Sequence, residues 1–277
     1  MLHCGRFHFA LDRPLVMGIV NVTPDSFFDG DHHADAGRAI AHGQALREAG
    51  ADILDIGGES TRPGATPVSV QDELERVLPV LAGLRDCGAA LSIDSMKTEV
   101  MRAALAAGAD LINDVNALRA PGALEVVAES NCGVCLMHMQ GMPQTMQIAP
   151  SYVDVVAEVE TFLRQRLDAA LQAGIASNRL IVDPGFGFGK NPAHNIELFH
   201  TLSRFILQAP VLVGVSRKSL FGALTGRPIR DRMIGSVAAA VLAAAKGAAI
   251  LRVHDVAETV DAFTVWHALS HSHSERS

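Results

Sequence analysis

The chain has 277 residues and is 49% hydrophobic, which is enough apolar material for one large α/β domain. Its formal net charge of −7 argues against a general nucleic-acid-binding surface and gives no reason to expect a membrane-binding one. Residues 1–10 lack the basic start and apolar run of a signal peptide, and the most apolar predicted helix, 236–245, is too short to span a bilayer. We therefore expect a cytoplasmic protein.

The order of predicted elements indicates a barrel. Residues 2–11 alternate loosely between polar and apolar types, which predicts a short N-terminal hairpin. Eight apolar strand candidates follow, at residues 15–20, 52–56, 90–93, 110–112, 133–137, 180–182, 211–215 and 249–253. Amphipathic helical patterns lie between them, for example at residues 35–49, 71–87, 152–173 and 230–246.

Alternating strands and helices in this number predict a single (β/α)8 TIM-barrel domain over about residues 15–266. A doubly wound open sheet is the alternative, but its glycine fingerprint is missing after the first strand. Residues 267–277 predict a flexible tail, in which His267, His271 and His273 leave weak metal binding open. Cys132 and Cys135 have CxxC spacing without a second pair, which favours buried core thiols and a reducing compartment.

Polar residues close every predicted strand. They are Asn21, Asp55, Asp94, Asn113, His138, Asp183, Ser216 with Lys218, and Arg252 with His254. Each one alone is explained equally well as a helix cap. In a TIM barrel, however, the carboxyl ends of the strands and the loops after them form the active site, so a polar residue at every end predicts a site there.

Three groups of these residues have a chemical interpretation. Asp94, Asn113 and Asp183 supply acceptors and an amide for a flat, nitrogen-rich ring, because a carboxylate binds an N–C–NH2 edge through two parallel hydrogen bonds. Arg252 and His254 project to the same side of a strand, near Lys218 of its neighbour, and predict an anion site. The loops at 21–30 and 57–65 are rich in turn residues and suit closure over a ligand, although plain turn chemistry is the alternative. The glycines of 185–189 let the backbone come close to a ligand, with Phe186 and Phe188 as walls, although an ordinary strand-to-helix loop is the alternative.

Five segments closely resemble the dihydropteroate synthase family. They are MGIVNVTPDSF (17–27), DIGGESTRPG (55–64), DPGFGFGK (183–190), SRKS (216–219) and RVHD (252–255), and the likeness runs from about residue 15 to residue 266. The resemblance implies a magnesium-dependent transferase of folate biosynthesis. Its substrates would be 6-hydroxymethyl-7,8-dihydropterin pyrophosphate and p-aminobenzoate, and its products 7,8-dihydropteroate and pyrophosphate. Sulfonamides would be inhibitors, and the protein would be a homodimer paired through its C-terminal helices.

The resemblance also implies a role for individual residues. The pterin would be held by Asp94, Asn113, Asp183 and Lys218, in a pocket shaped by Met137, Phe186 and Gly214. Pyrophosphate would contact Asn21 through magnesium, together with Thr61, Arg252 and His254. The p-aminobenzoate site would comprise Phe27, Thr61, Arg62, Pro63, Phe186, Ser216 and Lys218. Lys218, Arg252 and His254 would be the catalytic residues.

The chain departs from the family pattern at Ser95 and Met96, where Thr and Tyr are more common, and at Phe28, where a small polar residue is usual. None of these is an expected ligand, so the departures predict altered loop packing at most. Two alternatives stay open: a non-catalytic pterin-binding paralogue, and a pterin-dependent methyltransferase that delivers a methyl group to a corrinoid. The second needs neither the Arg252–His254 pair nor the Thr61–Arg62 loop.

Overall fold

The computed structural model describes residues 1–22, 32–62, 64–206 and 208–270. Within them an N-terminal hairpin precedes eight parallel strands. The hairpin strands are β1 (Leu2–Cys4) and β2 (Phe7–Phe9). The parallel strands are β3 (Leu15–Asn21), β4 (Ile53–Gly57), β5 (Ala90–Asp94), β6 (Leu111–Asp114), β7 (Gly133–Met137), β8 (Leu180–Asp183), β9 (Leu212–Val213) and β10 (Ile250–Val253).

The parallel strands form a nearly closed barrel. Their order is β8-β7-β6-β5-β4-β3-β10-β9. A parallel bridge between Val182 and Val211 joins the two end strands, and Val182 N donates to Pro210 O at 3.0 Å. The predicted TIM barrel and its N-terminal hairpin are confirmed. The strand predicted at 211–215 is shorter than expected, since only Leu212 and Val213 pair with β10.

Helices alternate with the strands as predicted. They are α1 (His32–Glu48), α2 (Val70–Leu84), α3 (Thr98–Ala106), α4 (Ala123–Ala128), α5 (Val155–Gln172), α6 (Pro192–His200), α7 (Ser203–Ile206), α8 (Ser219–Thr225), α9 (Met233–Ala245) and α10 (Val256–Ser270). Side-chain caps fix three of the starts: Ser69 Oγ accepts from Asp72 N, an Asp154 carboxylate oxygen accepts from Ala157 N, and Asn191 Oδ1 accepts from His194 N. The helix predicted from residue 230 begins at Met233 because Ile229–Asp231 forms a 3-10 turn.

The barrel interior is apolar toward the amino ends of its strands. Its lining residues are Leu15, Met17, Ile53, Ala90, Leu111, Cys135, Ile181, Leu212 and Ile250, and Leu2 and Cys4 of the hairpin pack against them. Arg6 fastens the hairpin, since its Nη2 lies 2.8 Å from an oxygen of the buried Asp110. The hairpin therefore covers one mouth of the barrel, and the polar strand ends lie at the other.

Two further expectations concern cysteines and termini. Cys132 and Cys135 are free, buried thiols, as predicted, and they pack in different layers: Cys135 in the barrel interior and Cys132 between strands and helices. Helix α10 continues through His267 to Ser270, while His271 and His273 lie outside the described residues. Among the described helices, none combines the length and apolarity needed to cross a bilayer.

Candidate active site

The parallel register brings the strand-end residues to one rim. Asp94 of β5 lies beside Asn113 of β6, and Asn21 ends β3, two strands away. Asp183 ends β8, and Arg252 lies in β10. Because carboxyl ends of parallel strands meet at the same edge, these side chains share one mouth of the barrel.

Asp55, a fully buried carboxylate of β4, is the centre of a hydrogen-bond network at this rim. Its Oδ1 accepts from Ser92 Oγ at 2.6 Å, and its Oδ2 accepts from Asn113 Nδ2 at 3.0 Å and from Arg252 Nε at 2.6 Å. The Nη2 of the same guanidinium donates to Asp94 Oδ2 at 2.7 Å. One cation thus joins two carboxylates and links the residues predicted for the pterin to one predicted for the anion.

Burial shifts the pKa values of the ionisable groups around this network. Burial raises the pKa of Asp94 to about 7, although the positive charge of Arg252 opposes the shift. Burial also raises the pKa of Asp183 against the opposing charge of Lys218, and it lowers the pKa of Lys218 to about 8. A pKa moved toward neutrality in several neighbouring groups is typical of functional sites.

The loop after β8 is folded tightly over this rim. Asp183 Oδ1 accepts from Gly185 N at 2.7 Å, so the carboxylate turns the chain as soon as the strand ends. Lys218 Nζ donates to the carbonyl oxygen of Phe186 and lies 4.5 Å from the centroid of the Phe188 ring. Lys218, Phe186 and Asp183, which come from two separate motifs, therefore lie together.

A small cavity opens beside Lys218. It is lined by Phe186, Gly187, Asn195, Val215, Lys218, Ser219 and Leu220. Phe186 is buried and packs edge-on against Phe199, with ring centroids 5.9 Å apart. The cavity has room for about one water molecule, and its lining residues include an aromatic ring, a lysine and a serine.

Other predicted pocket residues lie around the same rim. Gly214 has no side chain between Arg252 and Asp183: a Cβ there would be 3.8 Å from Arg252 Cβ and 3.9 Å from Asp183 Oδ2. Met137 belongs to an apolar cluster that also contains Val115, Met139 and Met146, with Met96 and Phe188 packed against it. Met96, one of the departures from the family pattern, therefore contributes to the same wall as Met137.

Ser216 and His254 contact each other. His254 Nδ1 lies 2.9 Å from Ser216 Oγ, and His254 N donates to the same oxygen at 3.2 Å. Burial, followed by the positive charges of Arg252 and Arg217, lowers the pKa of His254 to about 4. His254 is therefore a neutral hydrogen-bond donor at neutral pH and not a cation. The Ser216 hydroxyl does not line the cavity beside Lys218.

The loop after β4 is anchored by a lysine. Lys97 Nζ donates to Glu59 Oε2 at 2.7 Å and to an oxygen of Glu73, which is fully buried in α2. Thr61 is half-buried and Arg62 exposed, and neither side chain has a hydrogen bond to another described residue. The predicted residues Phe27 and Pro63, and the departure at Phe28, lie outside the described residues.

Several residues of this region were not assigned a role from the sequence. In the sequence Asp55 is only one of several polar residues at strand ends, and Ser92 and Ser219 carry no distinct signal. The available signal was a carboxylate inside the apolar run of β4, because a buried charge in a parallel strand requires partners. Its partners emerge only from the register, which sets Asp55 beside Ser92.

Few side chains at this rim could bind a metal ion. In the described part of the chain, no three His, Cys, Asp or Glu side chains lie close enough together to hold a metal ion. Asn21 is half-buried at the end of β3, and its carboxamide has no hydrogen bond to another described residue. One amide oxygen fits a magnesium ion that keeps most of its ligands as water and phosphate.

A model of the family described as pterin binding enzyme matches residues 17–254. A dihydropteroate synthase from Neisseria meningitidis serogroup B is 52% identical over 273 residues and is matched over 96% of each chain. The chain belongs to the dihydropteroate synthase family. This membership makes it a transferase and confirms the family resemblance of the five motifs.

Solved members of the dihydropteroate synthase family have the same fold. The enzyme from Xanthomonas albilineans with 4-aminobenzoic acid is 58% identical, with a TM-score of 0.89 over 94% of each chain. Its structure with 7,8-dihydropteroate has a TM-score of 0.84 at 53% identity, over 95% of each chain. The enzyme from Yersinia pestis with a sulfonamide drug is 49% identical, with a TM-score of 0.92 over 97% of this chain and 98% of that one.

Proposed function

We propose that the chain condenses 6-hydroxymethyl-7,8-dihydropterin pyrophosphate with p-aminobenzoate to give 7,8-dihydropteroate and pyrophosphate. The Xanthomonas family member binds 4-aminobenzoic acid and 7,8-dihydropteroate, which supports this assignment. In this chain the assignment rests on one observation: Arg252 bridges Asp55 and Asp94 at the rim that also carries Asp183 and Lys218. Acceptors for a nitrogen-rich ring thereby lie beside a cation for the leaving anion.

The pterin ring binds against Asp94, Asn113 and Asp183. A carboxylate suits the N–C–NH2 edge of the ring because its two oxygens accept two parallel N–H bonds. Asp183 Oδ1 accepts from Gly185 N and keeps a second lone pair, so both oxygens can accept from the ring. Lys218 donates to the ring from the side, and the apolar walls come from Met137, Phe186 and Gly214.

The pyrophosphate binds at the opposite edge of the network. Arg252 uses Nε and Nη2 for Asp55 and Asp94, so its remaining N–H groups are available for phosphate oxygens. His254 donates from Nε2 while its Nδ1 faces Ser216, and Thr61 adds a hydroxyl. Asn21 would hold magnesium, which supplies charge neutralisation to the diphosphate when bound.

The p-aminobenzoate binds beside Lys218, where the small cavity widens to admit its ring. The ammonium of Lys218 pairs with the carboxylate, and Phe186 covers the ring. Arg62 and Thr61 approach from the loop after β4, and the family pattern adds Pro63 from the same loop and Phe27 from the segment after β3. We add Ser219 as a hydroxyl for this ligand, because it lines the cavity while Ser216 is engaged by His254.

The bond changes need little from the protein beyond charge and position. The C–O bond between the pterin methylene and the diphosphate breaks, and its electron pair leaves on pyrophosphate, where cationic groups stabilise it. The lone pair of the arylamine forms the new C–N bond, and the proton of the resulting ammonium passes to water. The arylamine is neutral at pH 7, so no strong general base is required. Closure of the site limits capture of the methylene by water.

The experiment combines purified protein, both substrates and magnesium, and measures dihydropteroate by mass spectrometry. We expect product formation, and a sulfonamide should raise the KM for p-aminobenzoate without changing kcat. A folded protein that binds the pterin but forms no dihydropteroate would instead indicate a non-catalytic pterin-binding protein. Methyl transfer from a methylated pterin to a corrinoid would indicate the methyltransferase.

We further propose a cytoplasmic homodimer that pairs through α9 and α10. These helices expose large apolar side chains, namely Ile234, Leu242, Val265 and Leu269. Exposed apolar side chains on neighbouring helices favour association. Free cysteines suit a reducing compartment. Light scattering coupled to gel filtration should give twice the chain mass, and Leu242→Glu should give a monomer, whereas a monomeric wild-type protein would contradict the pairing.

A further inference from the structure

The five consecutive carbonyl groups of residues 185–189 each accept a hydrogen bond from a side chain. Lys190 Nζ donates to Gly185 O and to Phe188 O, at 3.0 Å each. The carbonyl of Phe186 accepts from Lys218, that of Gly187 from Gln147, and that of Gly189 from Tyr152 Oη, at 2.9 Å in the last case. A loop of this kind normally exposes its carbonyls to water, so complete side-chain satisfaction indicates a fixed backbone.

Lys190 is the donor that contacts this loop twice. It is only 3% exposed, and its third partner is His138 Nδ1, at 2.9 Å. An ammonium has three N–H donors and no acceptor, which matches three acceptors. The contact also fixes the His138 tautomer, because a nitrogen that accepts from an ammonium carries no proton.

The backbone at Gly185 leaves little room for another arrangement. Gly185 has a φ of +72°, and a Cβ there would lie 1.8 Å from His138 O and 3.3 Å from Lys190 Nζ. The loop thus rests directly on His138, and Lys190 joins the two segments. The other donors from this side, Gln147 and Tyr152, also lie between β7 and α5.

We propose that Lys190 is a positioning residue for the transfer reaction: its buried ammonium fixes the 185–189 loop so that Phe186 and Phe188 form the wall against which Lys218 is set. This inference rests on the proposed function. Lys218 contacts the loop at the Phe186 carbonyl and over the Phe188 ring, so a shifted loop moves the amine shared by both substrates. Lys190 itself touches neither predicted ligand site.

The charge state of Lys190 depends on opposing effects on its pKa. Burial lowers the pKa of Lys190 well below its usual value, against the negative charge of Asp183, and the positive charge of Lys218 adds to the lowering. Hydrogen bonds to the charged form of a group favour that form, and here all three N–H donors are used. His138 stays neutral beside it, because burial and the charge of Lys190 lower the pKa of His138 to about 2.

The test compares Lys190→Met with Lys246→Met, which removes a lysine at an exposed position whose Nζ is bonded to His200 O. For Lys190→Met we expect the KM of both substrates to rise about tenfold or more in protein shown by circular dichroism to be folded, because misplacement by 1 Å has large effects on binding and rate. Lys246→Met should have wild-type constants. A Lys190→Met protein with a lower Tm but KM values within twofold of wild type would overturn the proposal.

Lys190→Gln keeps the test decisive if the methionine variant does not fold. Its carboxamide retains two N–H donors, so KM should rise for both substrates but by less than in Lys190→Met. Unchanged KM values in Lys190→Gln would overturn the proposal. The wild-type protein is assayed first: absence of dihydropteroate there contradicts the proposed function, whereas normal wild-type turnover with unchanged Lys190 variants contradicts this inference alone.

Discussion

Arg252 and Asp55, 197 residues apart in the chain, meet in the barrel mouth through a 2.6 Å hydrogen bond from Nε to Oδ2. The contact joins strand β10 to strand β4 across the intervening β3. Because Arg252 also reaches Asp94, one guanidinium sets the positions of carboxylates that would otherwise repel each other. We therefore expect binding of the pterin and of the leaving group to be coupled through this side chain.

Arg252→Ala should lose most turnover and also lose stability. Removing the guanidinium leaves the buried Asp55 and Asp94 without a counter-charge, which costs about 3–5 kcal/mol. Arg13→Ala is the matched control, since it breaks the exposed pair with Asp52 and should cost about 0.2–1 kcal/mol. Urea unfolding measures both variants. Equal stability losses, or wild-type turnover in Arg252→Ala at saturating substrate, would contradict the role of Arg252.

Substrate affinities should depend on pH near neutrality. Burial lowers the pKa of Lys218 to about 8, so its ammonium is lost as pH rises through 8 and the KM for p-aminobenzoate should rise. Burial raises the pKa of Asp94 to about 7, so its carboxylate is lost as pH falls through 7 and pterin affinity should fall. In Lys218→Arg, the rise in KM above pH 8 should disappear. If the KM for p-aminobenzoate still rises above pH 8 in Lys218→Arg, a group other than Lys218 causes the rise.

Lys97 and Glu73 should be strongly coupled in stability. Lys97→Met leaves Glu73 buried without its cation, at a cost of about 3–5 kcal/mol. Adding Glu73→Leu removes the stranded carboxylate, so the double variant should be more stable than Lys97→Met alone. Urea unfolding of the four proteins gives the coupling energy, and additive effects would show that the pair does not interact. The KM for p-aminobenzoate should also rise in Lys97→Met, because Lys97 anchors Glu59 of the Thr61 loop.

Gly185→Ala should be far more harmful than Gly226→Ala. Both glycines have a left-handed backbone, with φ of +72° and +70°, so both alanines carry the same strain of about 1–2 kcal/mol. At Gly226 a Cβ meets nothing within 4 Å, whereas at Gly185 it would lie 1.8 Å from His138 O. Gly226→Ala should therefore keep wild-type turnover, and Gly185→Ala should lose turnover and stability. Similar losses of turnover and stability in the two variants would mean that the left-handed backbone alone requires glycine at position 185.

Much of the fold follows from local sequence patterns. The apolar runs of the barrel strands and the helical periodicity between them predict alternating strands and helices, and the structure differs mainly at boundaries. Strand β9 is shortened because only Leu212 and Val213 pair with β10. The length of a strand depends on which residues pair with the neighbouring strand, and the local sequence does not reveal that pairing.

The contacts within the candidate site are harder to predict from the sequence than the fold is. Strand ends predict which residues reach the rim, but side-chain partners depend on register and on contacts between distant segments. Asp55 acquires its importance only beside Ser92 and Arg252, and Lys190 only beside His138. Ser216 shows the same dependence: it follows the shortened strand β9, and its contact with His254 is set by the neighbouring strand β10.

Pyrophosphate release by the purified protein tests the central claim most directly. The pterin pyrophosphate is supplied with and without p-aminobenzoate, and each mixture is assayed with magnesium and with a chelator. We predict rapid release, matched by dihydropteroate, only when p-aminobenzoate and magnesium are both present. Failure of folded, pterin-binding protein to release pyrophosphate under that condition would contradict the claim that this rim catalyses the condensation.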